Sequence, residues 1–153
     1  MSRREQIAMT PPEAAAFVAE QRVVVCATNG VRGWPHLMPL WYVFRGQNIW
    51  AWTYAKSQKA RNLERDARAT LQIEDGDQYH ELRGVMIEAD TVIHHDLELV
   101  TEFGLELFGR YGSGAYGPRY AEVVRAQAAK RVALQFVVRR MASWDHRKLG
   151  NVY

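Results

Sequence analysis

The fold is decided by the stretch from His36 to Thr53, which reads HLMPLWYVFRGQNIWAWT. Its first half, residues 36–44, is apolar on both faces of an extended chain, so we expect neither side of this strand to face bulk water. Residues 45–48 supply turn-forming Gly and Asn, and residues 49–53 return as the next strand, which together predict a β-hairpin. Pro39 cannot donate a backbone hydrogen bond to a neighbouring strand, so it marks a sheet edge or a bulge.

Further strands are predicted on both sides of this hairpin. β-branched and alternating apolar residues indicate strands at residues 22–28, 69–74, 85–93 and 132–138. Capping signals and helical spacing indicate helices at residues 10–21, 55–66, from 96 onward and 119–130. Six strands joined mostly by hairpins predict a mainly β fold, a six-stranded antiparallel barrel with peripheral helices, and not a parallel dinucleotide-binding sheet.

Composition is that of a globular domain. The chain has 153 residues, of which 48% are hydrophobic and 24% are charged, so we expect one domain spanning residues 1–153. No apolar run approaches the roughly 18 residues of a membrane span, and the first residues contain no signal-peptide core. We therefore expect a cytoplasmic protein without a membrane partner. The single cysteine, Cys26, lies in the apolar run 23–27, which favours packing over a catalytic thiol.

Positive charge is concentrated in two short segments. The net charge of +3 is too small to indicate a nucleic-acid binder, and we expect no nucleic-acid partner. Residues 56–68 contain five bases and two acids, and residues 139–148 contain four bases and one acid. Residues 74–106 contain ten acids and one base. Local positive charge of this kind suits a compact anion better than a long polyanion.

The predicted helix at residues 55–66 has its charges placed against the helix dipole. Lys56 and Lys59 lie at its start, where each base costs about 0.3 to 1 kcal/mol unless an anion lies among them. The first-turn N–H groups, the Ser57 hydroxyl and these ammonium groups would together bind a phosphate. The alternative is a solvated helix in which Ser57 is only the N-cap.

Aromatic residues crowd the two strands before this helix, namely Trp41, Trp50, Trp52 and Tyr54. A flat heteroaromatic ring of the flavin kind would rest near them while its phosphate reached Lys59. The alternative for the tryptophans is packing in the core.

Two further motifs do not indicate their usual ligands. Residues 112–117 read GSGAYG, but a helix precedes them and Pro118 follows, so they are not a dinucleotide-binding turn and form either a surface loop or a lid. His94, His95 and Asp96 are adjacent on a strand and point to opposite faces, so we expect no metal site.

The chain resembles the pyridoxamine-phosphate-oxidase-like split β-barrel family of flavin and deazaflavin oxidoreductases. Residues 33–53, residues 57–68 and residues 143–149 carry the resemblance. In relatives a Ser-Arg-Lys or similar triplet binds the cofactor phosphate, so Ser57 and Lys59 match while Gln58 replaces the arginine. The Lys-x-x-Asn-Leu pattern starting at Lys59 looks more like the branch that uses the deazaflavin coenzyme F420, and FMN is the alternative.

The resemblance implies a split barrel and a homodimer with the cofactor at the subunit interface. It also implies that no side chain acts as a dedicated acid or base while a hydride passes to an unsaturated or quinone-like small molecule. The alternative is a non-catalytic carrier of a flavin, a haem or a tetrapyrrole. The cofactor-binding residues expected from the resemblance and the local charge are Leu37, Met38, Pro39, Leu40, Trp41, Trp52, Thr53, Lys56, Ser57, Lys59, Asn62, Trp144 and Lys148.

Overall fold

The structure is a computed structural model that describes residues 1–112 and 117–150. Most of the predicted loop or lid, residues 113–116, lies outside the described residues. The strands are β1 (Val24–Asn29), β2 (Pro35–Leu40), β3 (Val43–Arg45), β4 (Asn48–Tyr54), β5 (Arg68–Asp75), β6 (Arg83–His94) and β7 (Arg131–Asp145). The α-helices are α1 (Arg3–Ile7), α2 (Pro11–Glu20), α3 (Gln58–Arg65), α4 (Leu97–Tyr111) and α5 (Tyr120–Ala128), and short 3-10 turns cover Tyr79–Glu81 and His146–Leu149.

All of these strands form one antiparallel sheet in the order β2-β1-β5-β6-β7-β4-β3. The two edge strands, β2 and β3, are consecutive in the chain and are separated only by Trp41 and Tyr42. Three peptide steps span at most about 11 Å, so the sheet must curl until its edges nearly meet. This geometry confirms the antiparallel split barrel with peripheral helices.

The prediction of six strands was wrong in one detail, because residues 36–44 form two strands and not one. The chain leaves the edge of β1 after Leu40 and joins β4 from Val43 onward. Between them Tyr42 is fully buried and its hydroxyl donates to the carbonyl of Val18 in α2. This contact with a distant helix fixes the crossing point.

The faces of β2 also differ from expectation. As an edge strand, β2 pairs only with β1, and in the single chain the Leu37 and Met38 side chains are 58% and 44% exposed. The sequence predicted that both faces would be covered, and within one chain this prediction is wrong. The described residues of the chain therefore leave this strand partly uncovered.

Apolar side chains form two cores, one on each side of β4 and β7. The first fills the barrel and is closed by α2, with Phe17 and Val18 among its buried residues. The second lies between the outer face of these strands and α4 and α5, and it includes Trp50 and Trp52. Helix α4 packs closely there, because a Cβ atom on Gly104 would lie 2.5 Å from Cζ3 of Trp52. No helix within residues 1–112 and 117–150 combines the length and apolarity needed to cross a membrane.

Helix α3 closes one end of the barrel. Ser57 is its N-cap and accepts a hydrogen bond from the Ala60 N–H, as predicted. Ala60 and Leu63 pack into the barrel core. The Asn62 side chain donates to Thr28 Oγ1 of β1 at 3.1 Å, so α3 connects the end of β4 to a strand across the barrel.

Candidate cofactor site

A buried lysine lies at the start of α3. The Lys59 side chain is 5% exposed, and its Nζ donates to Thr53 Oγ1 at 3.0 Å. Thr53 Oγ1 in turn donates to Ser57 Oγ at 3.2 Å, and Ser57 Oγ also accepts from the Ala60 N–H at 3.1 Å. We call Thr53, Ser57 and Lys59 the Lys59 network.

The Lys59 network has no negative charge to balance its cation. Within the part of the chain that the structure describes, no carboxylate lies within ion-pair distance of Lys59 Nζ. Burial lowers the pKa of Lys59, and the nearby Arg131 lowers it further. Burial also raises the pKa of the neighbouring Cys26 thiol to about 12, so this thiol does not supply an anion at neutral pH. A buried, unpaired cation is costly, and an incoming anion would remove that cost.

Asn62 and Gln58 lie on α3 and line a separate cavity. Asn62 is fully buried and its Oδ1 accepts from Gln58 Nε2 at 2.8 Å. Both side chains line a cavity of about 220 Å³ between α3 and the β1–β2 turn, together with Gly30, Val31, Arg32, Trp34, Pro35 and His36. Sequence reasoning placed Asn62 in the site but treated Gln58 only as a missing arginine. Lys56 is exposed, just before the N-cap.

The predicted aromatic residues separate into two groups. Trp41 and Trp52 line a cavity of about 330 Å³ with Pro39, Leu40, Leu107, Phe108 and Arg131, which we call the Arg131 cavity. Trp50 instead stacks on His94, with 5.1 Å between ring centroids, and belongs to the core under α4. Since successive residues of a strand point to opposite faces, Trp52 faces α4 whereas Thr53 faces Lys59.

Trp144 and Lys148 lie far from the Lys59 network within one chain. Trp144 lies near the end of β7 and pairs with Gly84, and Lys148 lies in the 3-10 turn that follows, whereas the start of β7 pairs with Tyr54 beside α3. Lys148 Nζ binds the Ala8 carbonyl at 2.9 Å and Glu13 Oε2 at 2.6 Å. One chain therefore does not bring these two residues to the site, and their role in cofactor binding stays a prediction that needs a second subunit.

Sequence reasoning missed Arg131 and Thr28. Arg131 directly follows Lys130 at the start of the last strand, where a base is usually solvated, and no local pattern indicates that it turns toward Trp52 and Tyr54. Thr28 ends an apolar strand and becomes a partner of Asn62 only through the fold.

A larger cavity of about 470 Å³ lies on the outer face of β1, β5 and β6 and is large enough for part of a ring system. Its charged residues are already in ion pairs, Arg139 with Asp90 of the same wall at 2.7 Å and Glu88 with Arg140 outside the cavity at 3.3 Å. Arg68 likewise binds Asp66 at 2.8 Å. The cavity is therefore a poor site for a phosphate, in contrast to the Lys59 network.

Several solved protein structures are similar to this chain. A conserved hypothetical protein, Rv2991, from Mycobacterium tuberculosis has 40% sequence identity over all of this chain and 95% of its own, with a TM-score of 0.88. A solved F420 reductase has 20% identity and a TM-score of 0.70 over 86% of this chain and 98% of its own. The haem storage protein HutZ of Vibrio cholerae has 16% identity and a TM-score of 0.67 over 86% and 92% of the two chains. At these last two identities the likeness shows the fold alone.

No match is found among curated proteins. The sequence model of pyridoxamine 5'-phosphate oxidase matches residues 10–145, which include the whole barrel and α3. This chain therefore belongs to the pyridoxamine 5'-phosphate oxidase family.

Proposed function

We propose that the protein is an oxidoreductase that binds coenzyme F420, with FMN as the alternative cofactor, and reduces an unsaturated or quinone-like small molecule. The observation that supports this proposal best is the Lys59 network, where a buried ammonium group lacks a counter-charge among the described residues. It adjoins the N-terminus of α3, and a helix N-terminus is a favourable place for a phosphate. The fold is shared with an F420 reductase, which is consistent with the proposal.

Each part of the site would have a separate task. Lys56, Ser57 and Lys59 bind the phosphate tail, and the Ser57 hydroxyl, which already accepts two hydrogen bonds, turns its own proton toward the anion. Residues 37–41 approach the ring through backbone groups, since the edge of β2 that faces away from β1 has no strand partner among the described residues. The bound cofactor supplies the hydride chemistry, and the protein contributes position, exclusion of water and electrostatics.

We further propose that two copies associate through the face that includes β2. Val31, Trp34, Leu37 and Met38 are 73%, 74%, 58% and 44% exposed in one chain, and so many exposed apolar side chains in one short segment are typical of an interface. Leu37→Asp should convert the dimer to a monomer in light scattering. Val92→Asp is the control, because Val92 is 45% exposed on β6, outside this group, and it should leave the dimer intact.

The test of the cofactor is a pair of fluorescence titrations with F420 and FMN. We expect saturable binding that is tighter for F420, and we expect Lys59→Met to weaken it. Arg61→Met is the matched control because Arg61 lies exposed on the same helix and should bind as the wild type does. Failure of both cofactors to bind the wild-type protein would contradict the proposal.

One observation favours the carrier as a second candidate function. His36 Nδ1 is buried without a hydrogen-bond partner in the described structure, and His36 lines the cavity of about 220 Å³ next to α3. A neutral histidine nitrogen in such a position is able to ligate a haem iron. A haem titration that gave a Soret shift lost in His36→Ala, without turnover of any reduced cofactor, would favour the carrier.

A further inference from the structure

Arg131 lies on the opposite face of β4 from the Lys59 network. It is the first residue of β7 and pairs directly with Tyr54 at the end of β4. Opposite residues of an antiparallel pair share a face, and Trp52, two residues before Tyr54, shares it too. The Arg131 side chain therefore faces α4 together with these rings, whereas Thr53 and Lys59 face the barrel.

The charge of Arg131 is not balanced by an acid. In residues 1–112 and 117–150, no carboxylate lies within ion-pair distance of its guanidinium. Its Nη2 donates to Gln127 Oε1 at 3.3 Å, and its Nε is buried without a partner in the same described part of the chain. Burial lowers the pKa of Arg131, but an arginine remains charged at neutral pH. The half-buried charge is thus only partly satisfied, by Gln127 and by the Tyr54 side chain.

Aromatic rings compensate only part of this charge. The guanidinium carbon lies 4.1 Å from the centroid of Tyr54 and 4.7 Å from that of Trp52. Such contacts contribute about 0.5 to 2 kcal/mol each, but they use the flat faces of the guanidinium. Its N–H groups point outward in the plane, and this edge binds a carboxylate through two parallel hydrogen bonds.

The rest of the Arg131 cavity is apolar and rigid. Its volume of about 330 Å³ is at the small end of the range for ligand pockets, and apart from Arg131 its wall consists of Pro39, Leu40, Trp41, Trp52, Leu107 and Phe108. Trp41 stacks on Tyr111, with ring centroids 4.6 Å apart and planes 13° apart. The Tyr111 hydroxyl is itself fixed, since it donates to the Tyr42 carbonyl at 2.9 Å and accepts from the Tyr42 N–H at 3.1 Å.

We propose that the Arg131 cavity binds a small organic anion, a flat apolar body with a carboxylate that receives two hydrogen bonds from Arg131. The body lies between the indoles of Trp41 and Trp52. Among the described residues that line this cavity, Arg131 is the only base, and no helix N-terminus points into it. A single positive charge suits a ligand with one negative charge better than a phosphate dianion. That this anion is the molecule reduced by the bound cofactor rests on the proposed function, whereas the binding site itself does not.

The test compares 2-naphthoate with its uncharged analogue 2-naphthamide by calorimetric titration of the full chain. A charged hydrogen bond contributes about 1.5 to 3 kcal/mol, so we expect the wild type to prefer the carboxylate by roughly 10- to 100-fold. Arg131→Gln should remove this preference, and Arg131→Lys should retain a smaller one because lysine is a point charge without the planar fork. Lys130→Gln, which removes the adjacent base, should leave the preference unchanged.

Two results would overturn the site: a wild type that binds both compounds equally or not at all, and an Arg131→Gln protein that keeps the full preference. The wild-type result holds even where a variant fails to fold, and a thermal melt of each variant checks its folding. Lys59→Met keeps its preference for naphthoate if the two sites are separate. Naphthoate binding by a protein that binds neither F420 nor FMN would retain the site and refute the proposed cofactor.

Discussion

Replacing Lys59 by methionine should make the protein more stable and less able to bind its cofactor. Methionine keeps most of the unbranched side chain and removes a buried cation that has no acidic partner in the described residues. The variant loses one hydrogen bond to Thr53, which is worth about 1 kcal/mol. Replacing buried charges by apolar groups of similar volume commonly stabilises a protein by about 1 to 4 kcal/mol, so after the loss of the hydrogen bond we expect a net gain of up to about 3 kcal/mol.

Thermal and chemical unfolding of the apoprotein measure this gain. For a domain of this length, 1 kcal/mol shifts Tm by about 2 to 4 °C, so Tm should rise by up to roughly 12 °C. The same variant should bind F420 about 10- to 100-fold more weakly, because one charged hydrogen bond to the phosphate is lost. Arg61→Met, on the exposed side of α3, should change the free energy of unfolding by less than about 0.5 kcal/mol.

The pH dependence separates a charge effect from a packing effect. The pKa of Lys59 is lowered by burial in the folded protein, so the folded lysine loses its proton at a lower pH than the unfolded one. The wild type therefore gains stability as the pH rises from the folded pKa toward the unfolded value near 10.5. The stability advantage of Lys59→Met should therefore shrink as the pH rises from neutral toward 10.5. A destabilised variant with unchanged cofactor affinity would refute the reasoning.

The other predictions concern packing and the chain ends. Gly104→Ala should lower the free energy of unfolding by about 1 to 3 kcal/mol, because its Cβ would lie 2.5 Å from the Trp52 ring. Gly109→Ala is on the same helix but has open space around it, so it should raise that free energy by about 0.5 to 1 kcal/mol, as measured by urea unfolding. Cys26, which is fully buried and whose thiol pKa is raised to about 12, should not react with a thiol reagent until the protein unfolds. Asp145→Asn should cost about 1 to 3 kcal/mol at neutral pH, since the buried carboxylate binds Arg147 at 2.6 Å. Arg147 lowers the pKa of Asp145, so this stabilisation is present above about pH 4 and is lost as the pH falls through the folded pKa; equal acid sensitivity of wild type and variant would contradict it.

Local signals in the sequence predicted the elements that local interactions form. Thr10 and Glu13 form the expected capping box of α2, and Ser57 caps α3. The same signature at Ser2 and Glu5 was overlooked, although it begins α1 with both of its hydrogen bonds in place. Alternating apolar residues predicted the half-buried strand β5 in the same way.

Long-range contacts explain what the sequence did not predict. The break between β2 and β3 depends on the Tyr42 hydroxyl reaching α2, and no local pattern contains that information. Arg131 is a base at a strand end like many others, and only its pairing with Tyr54 places it against two rings. The basic start of α3 is visible in the sequence, but the burial of Lys59 depends on Thr53 and the barrel end around it.

Successive side chains of β4 point to opposite faces, and this has an evolutionary consequence. Thr53 contributes to the Lys59 network and Trp52 to the Arg131 cavity. These adjacent residues of β4 thus belong to different groups of residues on opposite faces of the strand. A substitution at Trp52 or Leu107 alters one group and leaves the polar contacts of Thr53 untouched. Evolution can therefore change the shape of the Arg131 cavity beneath α4 while the hydrogen bond between Lys59 and Thr53 is inherited unchanged.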